Sequence, residues 1–240
     1  MKQLDQHRQE AFVQQLFSSI AKRYDILNAL FTLNQDTNWR NFAAAKAGLK
    51  ENNSVLDVCC GTGKLSLSLA KYLGADGQII GLDFSESMLL EAKQNIQKSP
   101  YQQKITLIQG NALKLPFAEN SFDCTTIGFG LRNVSDIKST LEEMYRVTKP
   151  GGTVLSLDLS KPNAPIFKQL YYLYFENLLP FLGNLGFTKN RPYYNLPASL
   201  KTLPHQSVIA DMFSQVGLQQ VTYHQLTGGI VTVHLGKKYS

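Results

Sequence analysis

From Asn53 onward, short apolar runs of strand length alternate with amphipathic segments of helical period. That alternation restricts the chain to a mostly parallel sheet flanked by helices, the α/β class. The spacing predicts strands over 54–58, 78–82, 105–109, 122–128 and 153–158, with helices over 64–73, 85–97 and 137–148 between them. Pro150, Gly151 and Gly152 are read as the stop of the last helix. Residues 9–49 read as two or three helices. The rhythm breaks over 160–204, where FKQLYYLYFENLLPFLGNLGF and RPYY concentrate aromatic residues without strand alternation. Beyond it, HQSVIADMFSQVG predicts one more helix, and LQQVTYHQL and GIVTVHLG a hairpin turning at Thr227, Gly228 and Gly229.

A chain of 240 residues with 43% hydrophobic and 18% charged content suffices for one sizeable core, so a single domain is expected. Twenty-four Lys and Arg against eighteen Asp and Glu give a net charge of +6. That balance suits an anionic ligand or a membrane surface as well as an ordinary basic exterior. No basic run marks a nucleic-acid arm, so no nucleic-acid partner is expected. With neither a signal-peptide core at the N-terminus nor a stretch of ~18–20 apolar residues, a cytoplasmic location is expected. The cysteines Cys59, Cys60 and Cys124 lack the spacing of a disulfide framework or a zinc site, and no metal is expected.

The segment VLDVCCGTGK, residues 55–64, needs sorting among three loop types. A Walker A loop would put its first glycine at Val58 and a hydroxyl at Leu65, so it is excluded. A dinucleotide fingerprint would put its third glycine at Ser66. What remains is strand, acid, Gly-x-Gly, helix, which suits a nucleoside ligand without phosphates. Gly61 and Gly63 let the backbone approach it, while Asp57 either orients the loop or reaches an ammonium group. The next strand ends at Asp83, where a carboxylate can accept from ribose hydroxyls, and the third ends at Asn111 and Ala112, which can meet an adenine edge. Three strand ends therefore converge on one crevice.

This arrangement resembles the class I S-adenosylmethionine (SAM) dependent methyltransferases. YDILN (24–28), TNWR (37–40), FGLRNVSD (129–136), EMYRVTKPGG (143–152), LDLSKP (157–162) and LTGGIV (226–231) narrow the likeness to the UbiE/MenG family of quinone C-methyltransferases, from about Phe17 to Lys238. The resemblance implies a Rossmann-like seven-stranded fold divided into a helical lid (1–50), a SAM-binding core (51–159), an aromatic insertion for substrate or membrane (160–204) and a C-terminal helix and hairpin (205–240). It implies SAM as methyl donor, with contacts on Thr62, Asp83, Asn111 and Ala112. The implied acceptor is a prenylated quinol, either demethylmenaquinol or a polyprenyl methoxybenzoquinol of ubiquinone synthesis. Peripheral contact at the inner face of the membrane and a homodimer are both compatible with it. The chain departs from the family pattern at Gly128, where some relatives carry serine, at Asp36, where histidine is usual, and at Asp158, where glutamate is usual.

For catalysis, Arg132 is the candidate for stabilising a developing phenolate and Asp158 the candidate base. Each has a structural counter-reading, an ion pair for Arg132 and a loop cap for Asp158. Lys149 and His224 are weaker candidates. Tyr24 and Asp25 are read on N-terminal helices that resemble a lid over SAM, where Tyr24 either touches the methionine portion or packs. His7 and His205 are read as surface residues, and His234 as a structural one.

Overall fold

A computed structural model describes residues 2–162 and 203–239 of the chain. Two helices, α1 (Lys2–Phe31) and α2 (Gln35–Lys46), precede the alternating region. Then follow β1 (Ser54–Val58), α3 (Lys64–Ala70), β2 (Gln78–Asp83), α4 (Glu86–Gln97), β3 (Ile105–Gln109), β4 (Phe122–Gly128), α5 (Ile137–Val147) and β5 (Thr148–Leu159). Helix α6 (Gln206–Gln215) and strands β6 (Gln219–Leu226) and β7 (Val231–Lys237) close the chain. The aromatic stretch from Phe167 to Phe187, with the role expected of it, lies outside the described residues.

The seven strands form one sheet in the order β3-β2-β1-β4-β5-β7-β6. Pairs β3–β2, β2–β1, β1–β4 and β4–β5 are parallel, whereas β7 runs antiparallel to both β5 and β6. Helices cover both faces, so adjacent residues of a central strand enter different cores. Val55 joins the cluster containing Trp39, Ala43, Leu69 and Leu157, while Leu56 joins the one containing Leu141, Met144 and Phe213. This double burial explains why β1 is buried from Val55 to Val58 without alternating between buried and exposed residues.

Local signals set most boundaries. Ser85 caps α4 by accepting the Met88 N–H, Asp136 caps α5 by accepting from Ser139, and His205 caps α6 by accepting from Ser207. The reading of Pro150-Gly151-Gly152 as a helix stop is corrected. Helix α5 already ends at Val147, and the three residues belong to β5. They form an irregularity where the β4–β5 register shifts between Phe122 and Cys124. Gly152 is required there, since a Cβ would lie 2.8 Å from the Asp123 carbonyl oxygen and 2.6 Å from Thr148 Cγ2.

Candidate active site

Chain order reverses between β1 and β4, one leading outward to β2 and β3 and the other to β5. In such sheets the crevice opens beyond the carboxyl ends of the strands at this switch point. A cavity lies there, lined by Asp57, Cys59 and Gly61 at the end of β1, Asp83 and Phe84 at the end of β2, Asn111 and Ala112 after β3, and Phe129 and Asn133 after β4. Val13, Phe17 and Tyr24 of α1 and Arg40 of α2 complete the described wall. It encloses about 960 Å³ of space, open solvent included.

The glycine loop is held from three sides. Gly61 and Gly63 have φ of 56° and 79°, and a Cβ on Gly61 would meet nothing within 4 Å, so the space above the loop is free for a ligand. Asp83 accepts the Gly61 N–H at 2.8 Å and the Ser85 N–H at 2.9 Å, one on each carboxylate oxygen. Each oxygen keeps a lone pair for a further donor. Burial raises the Asp83 carboxyl above its ordinary range, opposed by the backbone donors of Ser85, Gly61 and Phe84. Asp57, fully buried, accepts from Ser66 Oγ at 2.6 Å and Thr126 Oγ1 at 2.9 Å. Burial pushes its carboxyl up to about 6 in spite of those hydrogen bonds and the nearby positive charge of Arg40. Asn111, largely exposed, accepts the Leu113 N–H through its Oδ1 at 2.9 Å, which turns the side-chain amide outward as a donor. The structure thus brings Asp57, Gly61, Thr62, Asp83, Asn111 and Ala112 together around one cavity. Gly63 stands at the start of α3 in the left-handed conformation, one residue behind that wall.

Non-glycine residues at positive φ flank the same space, Cys59 at 54° and Phe129 at 58°. Such strain persists only where the surroundings impose it, and it concentrates at functional sites. Burial, with the charges of Asp83 and Asp57 adding to it, drives both Cys59 and Cys60 thiols well above their usual range. These thiols are therefore protonated lining groups.

Helix α1 is tied to the loop by Asp25. Its Oδ1 accepts from Thr62 Oγ1 at 2.7 Å, its Oδ2 accepts from Asn95 at 3.0 Å, and Lys64 Nζ lies 3.7 Å from Oδ1. Asn95 also donates to the Thr62 carbonyl at 3.0 Å. Tyr24 packs edge-on against Phe17, ring centroids 5.9 Å apart, and lines the cavity.

Arg132 and Asp158, the candidates for phenolate stabilisation and base, meet each other. They form a buried ion pair through Arg132 Nη1 and Asp158 Oδ1, and Asp158 Oδ2 accepts the Arg132 backbone N–H at 3.1 Å. The same guanidinium donates to the Phe129 carbonyl at 2.9 Å, which also accepts from Asn133 at 3.1 Å. Among the described residues, neither Arg132 nor Asp158 lines the cavity; Phe129 and Asn133, which they brace, do. Lys149 pairs with Asp123 at 3.0 Å, and His224 packs against Phe42 with ring centroids 5.7 Å apart, both away from the cavity. His234 is buried with its Nε2 2.9 Å from the Gln206 carbonyl, and burial lowers it to about 4. At Gly128 a Cβ would lie 2.8 Å from Leu65 Cδ2, so a serine there would displace that leucine.

One lining group, Arg40, escaped the reading of the sequence. Asp25 and Arg40 stand inside the motifs YDILN and TNWR, yet nothing local shows which strand end each will meet. Their partners lie 37 residues away for Asp25 and across the cavity mouth at Phe129 for Arg40. Asp36, in place of the usual histidine, is the buried partner of Arg40 at 2.5 Å.

A seven-stranded sheet in this order, with a glycine loop and an acidic second strand end at its switch point, defines the class as that of the class I methyltransferases. In fold it is similar to a SAM-dependent methyltransferase from Aquifex aeolicus, with a TM-score of 0.66 covering 91% of this chain and 97% of that one at 19% identity. It is also similar to phosphoethanolamine N-methyltransferase 2 of Haemonchus contortus, with a TM-score of 0.60 covering 85% and 53% at 16% identity. The chain belongs to the ubiE/COQ5 methyltransferase family, whose profile matches residues 2–238. It is 47% identical over 228 residues to the demethylmenaquinone methyltransferase of Desulfitobacterium hafniense, covering 95% of this chain and 90% of that protein. To the demethylmenaquinone methyltransferase of Bacillus subtilis it is 41% identical over 233 residues, covering 97% and 100%.

Proposed function

We propose that this protein transfers the methyl group of SAM to a ring carbon of demethylmenaquinol, forming menaquinol. The observation that carries the reading is its likeness along nearly the whole chain to demethylmenaquinone methyltransferases. The cavity supports it, because Gly61, Thr62, Asp83, Asn111 and Ala112 together present the backbone, carboxylate and amide groups that a nucleoside needs. When bound there, SAM supplies an electrophilic methyl group on a sulfonium.

The chain's own residues then bind and position. Asp83 fixes the loop through Gly61 and keeps lone pairs for ribose hydroxyls. Asp57 offers a carboxylate to the ammonium at the methionine end. Helix α1 acts as a lid, placing Phe17 and Tyr24 over the cavity and latching to Thr62 through Asp25, which excludes water from the reacting groups. Arg132 and Asp158 enter this reading as positioning residues. Asp158 Oδ1 accepts from the Arg132 guanidinium and the Leu159 N–H and its Oδ2 from the Arg132 N–H, and the pair braces the wall carrying Phe129 and Asn133. Holding an acceptor carbon in line with the methyl group against this wall can supply ~7 kcal/mol or more of barrier reduction.

Delivery of a prenylated acceptor from a membrane surface is part of the same proposal. No helix among the described residues is long and apolar enough to cross a membrane. Near the C-terminal end of α1, however, Ile26, Leu30 and Leu33 are 70%, 50% and 81% exposed, a patch suited to shallow insertion. Mass spectrometry of quinones from cells lacking this protein tests the function. Accumulated demethylmenaquinone with loss of menaquinone is expected. An unchanged quinone pool would reject the reading, and an accumulated methoxybenzoquinone precursor would assign the protein to ubiquinone synthesis instead.

A further inference from the structure

Arg40 is buried, 6% exposed, on the second helix, and its guanidinium is fixed at two points. Asp36, one turn earlier and 2% exposed, takes Nη1 at 2.5 Å, and the Phe129 ring lies under the guanidinium carbon at 5.1 Å. Asp36 is itself held at Thr32, whose hydroxyl oxygen accepts the Asp36 N–H at 3.3 Å and lies 3.2 Å from Oδ1. A guanidinium has five N–H donors. Among the described residues, Asp36 is the one hydrogen-bond acceptor of this guanidinium. The side chain lines the cavity, so its remaining donors face the space a ligand would fill. No Arg40 nitrogen is among the buried unpartnered side-chain atoms of the described residues, so the donors that Asp36 leaves open are accessible to the acceptors a ligand brings into the cavity.

The shape of the cation indicates which acceptor. A planar fork of parallel N–H groups matches the two oxygens of a carboxylate, whereas a phenolate presents only one. Asp57 lies on the same cavity, close enough for the charge of Arg40 to favour its ionised form. A cation and an anion on one wall complement the carboxylate and ammonium of an amino acid. SAM carries one such zwitterion, at its methionine end. We infer that Arg40 is the receptor for the α-carboxylate of SAM, with Asp36 as the residue that positions its guanidinium. The inference rests on SAM being the ligand of this cavity.

Calorimetric titration of the full chain with SAM and with decarboxylated SAM, which lacks only the carboxylate, tests it without requiring turnover. Wild type is expected to prefer SAM. Arg40→Gln should weaken SAM by about 10- to 100-fold while leaving decarboxylated SAM nearly unchanged, so that the preference collapses. Arg40→Lys keeps the charge without the fork and should fall between the two; it reads the same ratio if the glutamine variant fails to fold. Asp36→Asn should also lower the ratio, whereas a merely structural role would lower both affinities together. Equal losses for the two ligands in the Arg40 variants would overturn the inference. So would unchanged SAM affinity with slowed methyl transfer, which would place Arg40 against the acceptor. If wild type binds neither ligand, the SAM reading itself fails.

Discussion

Asp57 sits fully buried between the hydroxyls of Ser66 and Thr126, and burial raises its carboxyl to about 6. The folded chain therefore keeps a proton on Asp57 where the unfolded chain has already released it. The sign follows directly: without ligand, this group's contribution to stability is full below the ordinary carboxylate range and declines as the pH rises through about 6. A ligand ammonium beside the carboxylate favours the ionised form, so SAM affinity should rise over the same window. The expected change is about tenfold between about pH 5 and about pH 7, levelling above. Asp57→Asn should flatten the profile in a calorimetric series, and a pH-independent wild-type affinity would contradict this role. Arg132 and Asp158 give a second prediction at this scale. Asp158→Ala removes the carboxylate from a buried guanidinium and should cost about 3–5 kcal/mol of unfolding free energy, readable by urea denaturation. Chain position alone put both residues near the crevice and left a salt bridge for Arg132 and a loop cap for Asp158 as their structural readings, without naming either as the other's partner. Their mutual contact became visible only when β4 and β5 were placed side by side.

Helix α1 meets the nucleoside loop through a small network of polar side chains centred on Asp25. Asp25→Ala removes two hydrogen bonds and an ion pair from this junction, a loss of about 1–3 kcal/mol of lid docking. Stopped-flow displacement should show faster SAM release, with the thermal midpoint of the sheet little changed. An unaltered release rate would mean that α1 does not act as a lid. At the level of elements, the strands over 54–58, 105–109 and 122–128 were legible to the residue, because each is a short run rich in β-branched and apolar residues set between helical or turn-forming segments. The start of β5 was not. A Pro-Gly-Gly sequence ordinarily ends structure, and only the register shift against β4 and the pairing of Gly151 and Gly152 with Lys238 turn it into strand. Likewise, helical periodicity before the sheet was readable, but that a single helix runs from Lys2 to Phe31 was not.

For the molecule as a whole, the legible part of the site is the part made by strand ends. Gly61, Asp83 and Asn111 follow β1, β2 and β3 directly, so any parallel sheet of this order gathers them at one edge. The contributions of α1 and α2 depend on how those helices dock, a long-range outcome that no local pattern encodes. That is why Arg40, and the partners of Asp25, emerged only from the structure. The central claim is that this cavity joins SAM to the ring carbon of a demethylmenaquinol. The most direct measurement incubates the purified protein with SAM carrying an isotope-labelled methyl group and chemically reduced demethylmenaquinone, then locates the label by fragment mass spectrometry. The account predicts the labelled methyl on the naphthoquinone ring carbon; label on an oxygen, or no labelled quinone from protein that binds SAM, would contradict it.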